Sequence, residues 1–357
     1  MNLSIQAEAR LTKYLDGIAE FNGITRKDVL SFTATSTTEQ ILVNKIVEQA
    51  GWFAPYFAML MVRDLVGQKV LMNLTGATAG RTNTEVTDRT TKSFLNLTTQ
   101  DYLLRAFEFN THLRFSDIDA WSKFPDFEAR YQALLMLNKF NAILMSGWYG
   151  GGSVVNNAVV NVEPALTTNL STYPQLQDLC KGWLRQIRDF NGGSQHYMGT
   201  ALDPMTVGSA TANTDNKPLT YANLDVLVAE AKNKIKPWLR DNLVAFISDD
   251  LVANAEGSFY SQSFERAAEK LVIAQNGGVI LQTFGGLRAI VPPFFPNGTV
   301  LITPMSNLQF YTQEGSVRRT IQPWPAGNHI KDYSSMNAGH VVYNEEATMM
   351  YENILPV

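Results

Sequence analysis

Residues 76–93, GATAGRTNTEVTDRTTKS, cannot belong to a hydrophobic core. Six of these eighteen residues are threonine and only Ala77, Ala79 and Val86 are apolar, so burial would strand polar groups without compensating apolar contact. The flanks read differently. From Tyr56 to Val66 the chain is apolar enough for a strand, and Gly67-Gln68-Lys69 is expected to turn it back into VLMNLT. Downstream, Phe107, Phe109, Thr111, Leu113 and Phe115 alternate with Glu108, Asn110, His112 and Arg114, which predicts a strand with one buried face. A strand out, a polar tip and a strand back make a projecting loop over about 56–115. Loops of that length in compact domains are usually functional or disordered.

The segments around this loop alternate between helical and extended patterns. Leu11, Tyr14, Leu15, Ile18 and Ala19 recur at helical spacing in residues 1–31, with Asn22-Gly23 as the stop and Thr25-x-x-Asp28 placed to cap a short second helix. The four basic and four acidic residues of this segment cancel, as in an amphipathic helix docked on a main body. SFTATSTT (31–38) is a polar linker. A helix follows it, with Thr37 and Gln40 set for a capping box and Ile41, Leu42 and Ile46 on one face.

The strongest helical pattern spans 125–146. Pro125 suits its first position, Phe127, Tyr131, Leu134, Leu135, Asn138, Ala142 and Met145 form one stripe, and Gly147 closes it. Such a helix would be ~33 Å long at 1.5 Å per residue. Leu137, Phe140 and Ile143 on other faces predict burial on more than one side. LQDLCKGWLRQIRDF reads as a second helix. The chain then alternates: LDVLVAEAKNKIKPWLRD helical, LVAFIS a buried strand, SFERAAEKLVIAQ helical. VILQTF, LRAIV, TVLITP, LQFYT, HVVYN and ATMMYENI read as strands.

Chemistry is harder to find. With 357 residues and a net charge of −4, the chain lacks the clustered Lys and Arg of a protein that grips nucleic acid. Cys180 is the single cysteine, which excludes an intramolecular disulfide and a thiolate metal site, and its helical context suits a small buried hydrophobe. His112, His196, His329 and His340 are scattered, with no H-x-x-x-H pair. No apolar run reaches membrane-spanning length, and the charged N-terminus lacks a signal-peptide core, so synthesis and residence in a cytoplasm are expected.

GWYGGGS has no Lys-Ser/Thr after its glycines and follows a helix, which fits a flexible exit rather than a phosphate loop. Asp117 and Asp119 are spaced as in some metal sites, but no third ligand follows and Ser116-Asp117 also suits a turn. Asn344-Glu345-Glu346 near His340 lacks any nucleophile elbow. Arg318-Arg319 could meet phosphate, an acidic neighbour or solvent. These residues amount to no catalytic set, no cofactor site and no metal site. A soluble α/β hydrolase or transferase would need a convergent polar cluster in a pocket.

Several long stretches carry a resemblance. KYLDGIAEFNGI before SFTATST, FNTHLRFSDIDAWSKFPDFEARY, LQDLCKGWLRQIRD, LDVLVAEAKNKIKPWLRD, the segment 285–321 with its Phe-Pro turn and paired arginines, and YSSMNAGHVVYNEEA are similar to major capsid proteins of Peduovirus-like temperate tailed phages. The resemblance implies an α+β tailed-phage capsid fold of the Hong Kong 97 type. By it, 1–31 is a helical, scaffold-binding and cleavable segment, 32–55 an N-terminal arm and 56–115 the extended loop lying across a neighbouring subunit. Residues 116–220 form a peripheral domain with a spine helix, 221–320 an axial domain, and 321–357 strands that return to the peripheral domain.

The same resemblance implies a non-enzymatic shell subunit that assembles into hexamers and pentamers of an icosahedral head around double-stranded DNA. It puts a maturation junction at Ser31-Phe32. The loop-tip residues Arg81, Glu85, Asp88 and Arg89 and the pair Arg318-Arg319 become candidates for intersubunit contact. The implied partners are copies of the chain, a scaffold-protease, the portal protein and packaged DNA held without sequence preference, with assembly in the bacterial cytoplasm and no membrane. An encapsulin-like compartment shell of related fold is the alternative.

Overall fold

The computed structural model describes residues 5–356 apart from 23, 26, 28–31, 34–35, 49–52, 54–56, 75–77, 122–123, 125, 156–157, 200–204, 208–219, 222 and 263–282. The expected capping motif at Thr25-x-x-Asp28 lies partly outside the described residues, and Ser31, Pro125 and all of SFERAAEKLVIAQ lie wholly outside them.

Two sheets organise the chain. The first is built on one long strand, His329–Val342. Its first half pairs with Arg318–Trp324 on one side and Arg105–Arg114 on the other, and its second half pairs with Leu308–Gln313. Phe57–Val62 adds in parallel to Leu308–Gln313, and the two-residue strand Phe32–Thr33 adds to Arg318–Trp324. The second sheet runs Thr283–Phe284, Leu287–Ile290, Leu243–Ile247, Val300–Pro304, Met349–Glu352, His196–Met198. A small sheet of Thr220–Tyr221, Met205–Val207 and Ile354–Pro356 is not hydrogen-bonded to these two but packs against the second through Met205, Val207, Tyr221 and Ile354.

The all-buried pattern of LVAFI follows from its position between two cores. Val244 and Phe246 point into a core with Trp148, Trp183, Phe57 and Phe310, whereas Leu243, Ala245 and Ile247 point into one with Leu227, Val228 and Ala231 of the helix Leu224–Lys234. Successive residues of a strand face opposite sides, so a strand buried on both must be apolar throughout. Its neighbours obey the same rule: Leu301 and Met350 enter the first core, and Val300, Ile302, Met349 and Tyr351 the second.

Sheet pairing cuts across the sequence order: Leu308–Gln313, within the region 221–320, joins the first sheet, Arg318–Trp324 spans the expected 320/321 boundary and joins the same sheet, and Met349–Glu352, within 321–357, joins the second. The pattern of a single strand reveals that it is buried but not which sheet receives it.

The long helix runs Phe127–Tyr149, three residues past its expected stop. Its expected stripe is not its buried face: Leu134 and Asn138 are exposed, and burial is concentrated at Phe140, Ile143, Leu144, Ser146, Gly147 and Trp148. Only the C-terminal half enters the core, so no single stripe is buried along the whole length. Gly147 is there for close approach, because a Cβ would lie 2.2 Å from the Trp183 ring. Gly182 is the other half of this contact, since its Cβ would meet the Gly147 carbonyl oxygen at 2.4 Å. For the same reason the second helix is shorter than expected, Trp183–Asp189, and Leu176–Lys181 runs as turns with Leu176 at φ 61°. Cys180 is buried there as expected, but outside a helix.

Candidate assembly interface

The projecting element is a two-stranded ribbon, Val66–Leu74 against Leu95–Leu103, narrower than the expected 56–115. Gly67-Gln68-Lys69 is not a turn; it lies within the outgoing strand, and the chain bends before it, at Arg63–Leu65. Arg105–Arg114 is not the returning strand either. Its apolar alternation puts Phe107 into the first core, and it pairs along ten residues with His329–Ala338.

Period-two alternation gives the ribbon two unlike faces. Val66, Val70, Met72 and Leu74 share one face with their cross-strand partners Leu103, Leu97 and Leu95, and all seven are exposed, Met72 at 73%. Polar partners on that face are few: Gln68, whose amide donates to Asp101 at 2.8 Å, and Thr99. None of the described residues covers this contiguous apolar strip, and ribbons of two strands are marginal on their own.

The opposite face roots the ribbon in the body. Leu71 is buried, the Tyr102 ring meets Tyr311 edge-on at 5.2 Å, and the Leu104 N–H donates to the Leu65 carbonyl at 2.9 Å. Lys69 Nζ donates to Glu345 Oε1 at 2.5 Å and also to the Val342 carbonyl, with both charged side chains almost fully enclosed. Burial lowers the Lys69 pKa and raises that of Glu345, and in each case the partner's charge opposes the shift. The pair is therefore ionic against a desolvation cost and depends on both members.

Beyond Leu74 the chain becomes the threonine-rich tip. Residues 78–94 are coil and exposed, with one ordered turn in which Val86 and Thr87 N–H donate to the Asn83 carbonyl and Glu85 N–H to the Asn83 side chain. Arg81, Glu85, Asp88 and Arg89 all point into solvent around it.

The paired arginines separate. Arg318 is exposed. Arg319 is engaged within the chain: its Nε and Nη2 donate to the two Asp332 oxygens at 3.0 and 2.6 Å, and Nη2 also donates to the Tyr14 hydroxyl at 2.8 Å. Phe32, one side of the expected junction, pairs its backbone with Arg319, next to the docked N-terminal helix Ile5–Asn22. The expectation of an amphipathic helix on the main body has its counterpart in the packing of Tyr14, Ile18 and Ala19 against Ile118, Ile321 and Ile330. The helix Ser36–Glu48 is anchored by Glu39, whose carboxylate accepts from Gly315 N–H at 2.7 Å and Val317 N–H at 2.8 Å. Ile46 is fully buried as expected, whereas Ile41 is exposed.

Three residues with acid–base potential, His340, Cys180 and Glu345, line one cleft. His340 is buried among Phe107, Trp183 and Phe310, pairs with Ser146 Oγ at 2.9 Å, and burial pushes its pKa down to about 3. Burial pushes the Cys180 thiol up to about 12. Both border a cleft of about 620 Å³ under the ribbon root, but Glu345 in the same cleft is committed to Lys69. Asp117 and Asp119 are exposed on the helix Phe115–Trp121 rather than in the expected turn. Among the described residues no group of three His, Cys, Asp or Glu could hold a metal ion, and no helix is long and apolar enough to cross a membrane.

Sequence reasoning missed Tyr14, Asp332 and Glu39 as anchors, and it placed Lys69 in a turn. Alternation alone would point Lys69 into solvent, because the opposite parity carries Val66, Val70, Met72 and Leu74; only the fold reverses that assignment.

Known proteins match more than nine-tenths of the chain. Residues 10–354 match the family model described as phage major capsid protein, P2 family. The chain is 29% identical to the capsid proteins of Escherichia phage P2 over 353 residues, covering 97% of this chain and 93% of the relative. It is 27% identical to the major capsid protein of Serratia phage KSP20 over 342 residues, 92% and 91% of the two chains. Among solved structures, a chain of the satellite phage P4 procapsid with its size determination protein superposes with a TM-score of 0.70 at 27% identity, covering 91% of this chain and 94% of that one.

Proposed function

The chain belongs to the P2 family of phage major capsid proteins and has the tailed-phage capsid fold of the Hong Kong 97 type, and from this premise we propose that the apolar face of its ribbon is the principal contact by which one shell subunit covers the next. The protein is the structural subunit of a phage head, assembling with copies of itself. Head-to-tail contacts that close by rotation make rings, and an icosahedral shell around double-stranded DNA uses the same subunit in rings of five and six.

The observation that carries this reading is the exposed strip from Val66 to Leu74 and Leu95 to Leu103. Water-exposed apolar area of this continuity is stabilised by burial at about 25 cal/mol per Å². The ribbon root is fixed to the body, so the strip is presented at a set angle rather than searching for it. In this reading the tip residues Arg81, Glu85, Asp88 and Arg89 extend the contact with polar pairs at its rim, and exposed Arg318 supplies another rim charge. Such rim charges tune register and encounter more than affinity.

Residues 1–31 serve as a removable segment, cut at Ser31-Phe32 by a scaffold-protease during maturation. Assembly takes place in the host cytoplasm. A portal protein occupies one vertex, and the packaged DNA is held without sequence preference, in keeping with the net charge of −4.

Met72→Asp and Leu97→Asp test the ribbon reading. Both positions are exposed in the single chain, so the variants should fold as the parent does, within about 0.5 kcal/mol by urea unfolding. Closed shells counted by electron microscopy should fall at least tenfold. Normal shell yield from both variants would remove the ribbon from the interface.

A further inference from the structure

The floor beneath the N-terminal helix is built from other elements of the chain. Strands Arg318–Trp324 and His329–Val342 bring Arg319 and Asp332 together in a two-point ion pair, and Ile321, Ile330, Ile118 and Tyr131 surround it. Onto this floor the helix lays Tyr14, Ile18 and Ala19, all at least nine-tenths buried. The Tyr14 ring meets Tyr131 edge-on at 5.8 Å, and its hydroxyl accepts from Arg319 at 2.8 Å.

The helix is joined to the body only through residues 23–31, after which Phe32–Thr33 pairs independently with Arg319 and Arg318. The same arginine thus holds the helix by its side chain and the following strand by its backbone. Neither attachment requires the other.

We infer that this face is a self-sufficient binding site for the helix of residues 5–22, recognising a tyrosine followed one turn later by an Ile-Ala pair, and that it holds the helix as a non-covalent ligand whether or not the chain between them is intact. The inference goes beyond removal of the segment. A cut in 23–31 does not by itself release the helix, and the vacated face accepts the same helix from solution or from a second copy. The Arg319 guanidinium is fixed by Asp332 before the helix arrives, so the ordering cost of rebinding falls on the helix rather than on the site. The apolar residues around it give the site its affinity and the phenol its register.

The test uses the full chain with a sequence-specific protease site inserted after Lys27 and a fluorophore at the N-terminus. After folding and cutting, anisotropy should report the N-terminal fragment still bound. Dilution should release it reversibly, and unlabelled peptide of residues 1–27 should compete. A peptide carrying Tyr14→Phe should compete about tenfold less well, as expected for losing one hydrogen bond to a charged donor, and one carrying Ile18→Asp should not compete. Immediate loss of the fragment without rebinding would overturn the inference, as would a Tyr14→Phe peptide that competes as well as the parent. The cleavage reading stands or falls separately: N-terminal sequencing that finds Met1 in mature particles rejects natural removal and leaves this site untouched.

Discussion

Lys69→Met should detach the ribbon root, and the size of the effect follows from how Lys69 is held. Its ammonium and the Glu345 carboxylate are 2.5 Å apart with side-chain exposures of 8% and 4%, and the ammonium also satisfies the Val342 carbonyl. Methionine keeps the stem volume and removes the charge, leaving Glu345 buried without its cation. Breaking a buried pair from one side costs about 3–5 kcal/mol.

The cost should depend on pH, in a direction set by Glu345. Its folded pKa already lies above 4.5, raised by burial and held back by Lys69. Without Lys69 it rises further, so the folded state binds a proton that the unfolded state has released. Stability then falls as pH rises from 4.5 through the folded pKa, by about 1.4 kcal/mol per unit of the window. The variant should therefore be closest to the parent near pH 4 and furthest from it at pH 8. Urea unfolding of the unassembled chain, read through buried Trp148 and Trp183, measures this, and hydrogen exchange should show the loss at 66–74 and 95–103. Adding Glu345→Met should recover at least about 1.5 kcal/mol at pH 8 through coupling of the two sites. A penalty independent of pH, or a double variant no better than the single, would refute the reasoning.

Two further outcomes follow from the core. Gly182→Ala places a Cβ 2.4 Å from the Gly147 carbonyl oxygen, backbone that no rotamer can move, and should cost about 1–3 kcal/mol in urea; Gly80→Ala, with open space around it, should cost almost nothing. His340 has a folded pKa of about 3 against 6.5 when free, so the unfolded chain binds the extra proton and stability should be lost as pH falls below 6.5; His340→Gln should flatten that slope between pH 6.5 and 4 in thermal unfolding.

Much of this architecture was legible in local pattern. The alternation from Phe107 to Leu113, the all-apolar LVAFI and the polar stretch 76–93 each report their surroundings directly, because strand burial writes itself into every second residue. What was not legible is which strand pairs with which. Arg105–Arg114 looked like the partner of the strand after Tyr56, yet its register is with residues more than two hundred positions away. Nothing within a ten-residue window distinguishes those partners.

The proposed interface was half legible. The exposed tip could be read from its threonines, but the apolar strip could not, since Val70, Met72 and Leu97 look like core residues until the ribbon is seen to have no core on that side. The intrachain role of Arg319 was hidden for the same reason. Tyr14 and Asp332 lie 305 and 13 residues from it, and only the fold joins them.

Electron cryo-microscopy of the protein, expressed alone and with a candidate scaffold-protease, tests the central claim most directly. The account predicts closed shells of five- and six-fold rings in which Met72 and Leu97 of each subunit are buried against a neighbouring copy. Shells in which the ribbon strip faces solvent, or a monodisperse monomer under the same conditions, would contradict it.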